Sequence, residues 1–291
     1  MFAKNGEELL KICDENNWLL SDYAINYEIE NSGLSREQVL ENTLKILHVM
    51  REGANEGQEK KIFSVSGLIG GDAYKINKYI EKNNTLCGET VVKAMARAIS
   101  SSEVNAAMGK IVACPTAGSC GILPSVILTI GERFNLSDDK LVQGLLSASA
   151  VGMIIAQNAT LSGAEGGCQA ECGSAAAMAS AACVELMGGT PDMSLNAAAI
   201  VLKNILGLVC DPVAGLVEVP CAKRNAAGAI SALSSADLVM AGVYSRIPFD
   251  DTVEAMYRVG KMLPASLRET AQGGLATTKT GLELNKKIFG E

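Results

Sequence analysis

The chain has 291 residues, room for one large domain or two smaller ones, and a 48% apolar content ample for a sizeable core. With aromatics at 4% and 29 glycines, packing must rely on Ala, Leu, Val, Ile, Met and close backbone approach. A net charge of −7 argues against a nucleic-acid or anionic-membrane surface.

The opening Met1-Phe-Ala-Lys-Asn-Gly-Glu-Glu8 carries carboxylates where a secretory signal needs an apolar core, so a cytoplasmic location is expected. Residues 1–90 hold 25 charged side chains and residues 141–240 only 10, which makes the first stretch outer, solvated helices and the second mostly interior.

Helical patterning dominates from the start. Ser35-Arg-Glu-Gln38 is a capping box, followed by Val39, Leu40, Thr43, Leu44, Leu47 and Met50 at helical spacing. The lone histidine, His48, lies in this helix and reads as a surface or packing residue. Ser64 to Ala73, with three glycines, two serines and an aspartate, reads as a loop able to bring N–H groups near an anion.

A second helix is expected over Thr90–Met108. The turn-rich Ile111–Pro124 leads into a helix that fades before Asn135, and Cys114 and Cys120 on it read as buried neighbours of a site. Ser137-Asp-Asp caps a long apolar helix to about Asn158. Gln143, Ser147, Ser149 and Gln157 interrupt it, so it reads as a buried bundle helix rather than a membrane span.

Gly167–Met187 predicts an Ala-rich helix stopped by Gly188-Gly189. Thr190-Pro191 opens another that ends before Cys210. Further helices are expected from Cys221 to about Gly242 and from Asp250 or Asp251 to Met262, the last sizeable one. Pro264–Gly281 is Gly/Thr-rich and not regular throughout. No strand–helix alternation appears, so the fold is expected to be all-α.

Nine cysteines in a chain with no export signal are not a disulfide framework. Cys13, Cys87 and Cys183 read as small buried hydrophobes. Cys168, Cys210 and Cys221 each sit at an element edge shaped by glycine or proline, and at Cys168, which begins a helix, thiolate is favoured. Their spacing matches no compact ferredoxin or zinc-finger pattern, so an iron–sulfur cluster, zinc or simple burial all stay open. Three ligands would leave one iron open as a Lewis acid. One histidine and no Walker or dinucleotide fingerprint disfavour triad hydrolysis and nucleotide chemistry.

Six segments carry a resemblance: 66–73 (SGLIGGDA), 115–124 (PTAGSCGILP), 162–171 (SGAEGGCQAE), 207–215 (GLVCDPVAG), 219–226 (VPCAKRNA) and 268–276 (RETAQGGLA). Over nearly its whole length the chain resembles the alpha subunits of bacterial iron–sulfur-dependent L-serine dehydratases. The resemblance implies a [4Fe–4S] cluster on Cys168, Cys210 and Cys221, whose open iron binds the serine hydroxyl and carboxylate, within a single helical domain over 1–291. Residues 1–60 would be its outer charged helices and 61–291 its catalytic core.

Ser66, Gly67, Asp72, Thr116, Asn158, Ser162 and Arg268 are candidates for the substrate pocket, and Glu165 and Glu171 for a base or hydrogen-bond partner. Cys172 reads as packing. Single-chain relatives carry a Ser-Ser-His-Thr segment that this chain lacks, which implies a separate beta subunit supplying the acid/base group and hence a hetero-oligomer. A C-terminal cysteine that caps the fourth iron in some relatives is also missing. Elimination from L-cysteine or L-threonine by the same site, or a non-catalytic helical scaffold role, are the alternatives.

Overall fold

In the computed structural model, which describes residues 2–82 and 84–290, the chain is a bundle of α-helices, as its patterning predicts. They are α1 (Gly6–Asn16), α2 (Leu20–Ser32), α3 (Arg36–Glu59), α4 (Asp72–Ile80), α5 (Gly88–Ala106), α6 (Ile122–Phe134), α7 (Asp138–Asn158), the single turn α8 (Gly163–Gly166), α9 (Ser174–Leu186), α10 (Pro191–Ile205), α11 (Cys221–Met240), α12 (Phe249–Met262) and α13 (Lys279–Phe289). Among the described residues there is no β-strand. Two isolated bridges, Phe63 with Gly70 and Cys210 with Arg268, are the only strand-like pairings there.

The core forms around α9. Every residue from Ser174 to Glu185 is buried, and its run of alanines lets α6, α7, α10 and α11 pack against it on all sides. Helix α7 is apolar and long enough to cross a membrane by composition, but 61% of its apolar window is buried inside the protein, against α2, α3 and α9. It is a core helix.

Starts follow the local code where a side chain can supply it. Asn5, Ser35, Ser137, Thr190 and Thr278 each accept a hydrogen bond from the first turn of their helices. Of the starts that have no such side chain, two are served instead by buried glutamates from elsewhere. Glu185 of α9 accepts from Leu20 N–H at 2.9 Å, and Glu103 of α5 accepts from Asp72 N–H at 2.6 Å. Burial pushes both carboxyls above their usual pKa. Asp250 does the same for α1, at Gly6 and Glu7.

Three sequence expectations need correction. Cys87 is exposed rather than buried; it precedes α5 at a surface turn. The Ala-rich helix is not continuous from Gly167, because a π-turn over Gln169–Gly173 precedes α9. Helix α12 opens at Phe249, just before Asp250 and Asp251, which lie in its first turn. It is not the last, since the Gly/Thr-rich stretch holds a capping threonine, Thr278, that launches α13. Cys13 and Cys183 are buried as expected, and His48 is half-exposed beside Asp138.

Candidate metal centre

Three chain segments bring the cysteines together. The first turns out of α8 at Gly167, whose φ of +76° is in the region that favours glycine; a Cβ there would meet Leu208 O at 2.9 Å and Leu263 Cδ1 at 2.6 Å. Gln169, fully buried, then locks the turn. Its amide donates to Gly166 O and Met256 O, each at 2.9 Å, and accepts from Gly207 N–H at 2.8 Å. The π-turn that follows puts Cys168 and Cys172 on one side, with their Sγ atoms 3.4 Å apart.

The second segment leaves α10 in extended form. Cys210 N–H donates to Leu267 O at 2.9 Å, and its carbonyl accepts from Glu269 N–H at 2.7 Å. The third begins after the cis Val219–Pro220 bond, where Cys221 opens α11. One turn along α11, Arg224 reaches back to the second segment. It donates to Val209 O at 2.8 Å and to Asp211 Oδ1 at 2.9 Å. Its neighbour Asn225 pins the 114–121 loop, donating to Gly118 O and accepting from Gly121 N–H.

Cys168, Cys172, Cys210 and Cys221 are 3%, 2%, 4% and 7% exposed. Hydrogen bonds from the Cys172 and Cys210 thiols, with the Arg224 guanidinium, hold the Cys168 thiol well below its usual pKa. The negative charge so favoured pushes the other three thiols up, together with burial, which leads at Cys221 and takes it to about 12. On the remaining side stand two carboxylates. Glu171, Cys210 and Glu269 offer ligand atoms that all lie within 4.8 Å of one another. Burial above all, then the Cys168 charge and Glu269, raise Glu171 to about 7, against hydrogen bonds from Thr116 and the Gly163 backbone.

This donor set suits a soft, thiophilic metal group: buried sulfurs from three rigid edges, one cation to offset their charge, and a carboxylate-lined opening. The sequence candidates divide around it. Thr116 and Glu171 are at the centre. Ser66, Gly67 and Asp72 form a rim tied to the Cys221 segment, through Ser66 Oγ to Glu218 Oε2 at 2.7 Å and Asp72 to Lys223 at 2.6 Å.

Arg268 lies beside Cys210 in the bridge, donating to Glu165 O at 3.4 Å. Glu165 itself is exposed, and Ser162 heads α8. Asn158 is turned to the N-terminus, where its amide donates to Lys4 O at 2.8 Å. Sequence reasoning missed Glu269, Asp211 and Arg224. The paired neighbours Arg268-Glu269 were the available signal. A cavity of about 360 Å³ between Tyr27, Val39, Met50, Met153 and Met178 lies away from these cysteines.

Residues 14–276 match the family model described as "Serine dehydratase alpha chain". The chain belongs to that family. It is 49% identical to the "Probable L-serine dehydratase, alpha chain" of Bacillus subtilis (strain 168), over 99% of this chain and 95% of the relative. It is 44% identical to the "L-serine dehydratase, alpha chain" of Peptoniphilus asaccharolyticus, over 98% and 97%. Longer family members match over part of their length: the "L-serine dehydratase" of Streptomyces coelicolor is 35% identical over 94% of this chain but 60% of its own.

Proposed function

We propose that this chain is the alpha chain of a cytoplasmic L-serine dehydratase, eliminating water from L-serine to give pyruvate and ammonia. The observation that carries the reading is the convergence of Cys168, Cys210 and Cys221 on Arg224 and on the Glu171–Glu269 opening. In this reading the three cysteines hold a [4Fe–4S] cluster, which supplies a Lewis acid to assist loss of the serine hydroxyl. Residues 1–291 act as one helical domain.

The chain's own residues then have defined tasks. Arg224 offsets the thiolate charge while tying the Cys221 helix to the Cys210 segment. Thr116 and the Gly163 N–H orient Glu171 at the opening. The Ser66–Asp72 rim, anchored through Glu218 and Lys223, borders the Cys221 segment and shapes the approach of the substrate. Loss of the α-proton and of hydroxide leaves aminoacrylate, which becomes an imine; water then releases ammonia and pyruvate.

A separate beta chain completes the proton-transfer machinery and makes the enzyme a hetero-oligomer. The longer relatives, whose extra length lies outside this match, support a second component. The test is turnover by the anaerobically assembled complex with serine, threonine and cysteine in parallel. Pyruvate from serine, dependent on bound iron, is expected. Equal activity from iron-free protein, or preference for threonine or cysteine, would contradict the assignment.

A further inference from the structure

The strap after α12 carries a carboxylate with no task so far. Glu269 has a φ of +63°, in the left-handed region that non-glycine side chains rarely hold. The two hydrogen bonds on either side of Cys210, from Cys210 N–H to Leu267 O and from Glu269 N–H to Cys210 O, over-determine that conformation. They also fasten the Glu269 backbone to Cys210. Its carboxylate is thereby placed within 4.8 Å of both the Cys210 sulfur and the Glu171 carboxylate.

Gly163 leaves the space for this approach: a Cβ there would stand 2.6 Å from Glu171 Oε2 and 3.1 Å from Glu269 Oε2. Glu171 is held by Thr116 and the Gly163 backbone. Among the described residues, the protein donates no hydrogen bond to the Glu269 carboxylate. Arg224 is turned to Val209 and Asp211, and Arg268 reaches the Glu165 carbonyl, so neither guanidinium is committed to Glu269. Two carboxylates beside a thiolate-favouring cysteine repel one another unless a cation joins them.

We propose that the Glu269 carboxylate is the resting ligand of the iron that no cysteine holds, and that the amino-acid substrate displaces it. This rests on the cluster assigned under Proposed function. The exchange is redox-neutral: the bond from the carboxylate oxygen to iron breaks as a substrate oxygen takes its place, and the carboxylate leaves as its anion. Glu269 thus does the closing task that a terminal cysteine would otherwise perform.

The test uses the full chain, complexed with its beta chain, prepared anaerobically with glutamate ¹³C-labelled at the side-chain carboxylate. The cluster is reduced by one electron and read by electron–nuclear double resonance. A ¹³C coupling is expected without serine, lost on adding serine, lost in Glu269→Gln and kept in Glu171→Gln. A wild-type protein with full iron and sulfide that shows no ¹³C coupling, or an exchangeable ¹⁷O coupling from labelled water in its place, overturns the proposal. So does a coupling that survives Glu269→Gln. Protein without iron and sulfide would strike the cluster reading itself, which a normal iron content keeps distinct from failure of the glutamate ligand.

Discussion

Arg224 and Asp211 form a largely buried ion pair at 2.9 Å that joins two of the three cysteine-bearing segments. The second oxygen of Asp211 accepts from Leu275 N–H at 2.7 Å, so one carboxylate fastens α11, the Cys210 segment and the C-terminal strap together. Removing one partner leaves the other charge buried and unpaired, a loss of about 3–5 kcal/mol in comparable pairs. Asp211→Ala should therefore lower stability on that scale, read by anaerobic urea denaturation, and reduce retained iron. Arg224→Lys, unable to make both contacts, should fall between Asp211→Ala and wild type.

The thiols are not equivalent. Cys168→Ser, Cys210→Ser and Cys221→Ser should each lose most bound iron and sulfide. Cys172→Ala should keep both, because Cys172 shares a hydrogen bond with Cys168 and is not one of the proposed ligands. Parallel iron determinations on the four variants check this; a Cys172→Ala protein stripped of iron would make it a ligand.

The buried cap at Glu185 makes a pH-dependent prediction. Its folded pKa is raised, burial being the chief cause, so the native state binds the proton more readily than the unfolded chain, where a glutamate titrates at about 4.3. Stability from this group is full below that unfolded value and declines as pH rises toward the folded pKa. Glu185→Gln keeps an acceptor for Leu20 N–H and removes the titration. The stability of wild type minus that of Glu185→Gln should fall as pH rises from 4.5 to 7, measured by urea midpoints. A flat or rising difference would contradict it.

Helix α9 has no room for growth. Ala179 is fully buried on a helix surrounded by α6, α7, α10 and α11. Ala179→Leu should cost about 1–3 kcal/mol through overpacking, seen as a lower urea midpoint with unchanged slope.

Much of the fold was legible because its helix starts are coded locally. Ser35 with Gln38, Ser137 and Thr190-Pro191 mark starts that the structure reproduces to within a residue. What escaped depends on distant partners. The π-turn at Gln169–Gly173 is held by the Gln169 amide contacts to Met256 and Gly207, which no periodicity in that stretch encodes. The caps of α2 and α4 come from Glu185 and Glu103, far away in sequence.

At the site, residue type pointed to the cysteines, since thiols at glycine- and proline-shaped edges have a limited chemistry. The residues around them were harder to see. Glu269 is brought beside Cys210 by a left-handed backbone and a two-residue bridge, neither visible in the string Arg-Glu-Thr-Ala. Asn158 shows the converse: a polar residue near the cysteine stretch in sequence whose amide is turned to the Lys4 carbonyl.

Under the proposed function, Cys168, Cys210 and Cys221 jointly hold a cluster on which serine turnover depends. The most direct test is an anaerobic determination of iron and acid-labile sulfide on the assembled alpha–beta enzyme, paired with pyruvate formation from L-serine. About four of each per alpha chain are expected, with iron, sulfide and activity lost together on exposure to air and in Cys210→Ser. Full activity in protein that binds neither iron nor sulfide would contradict it.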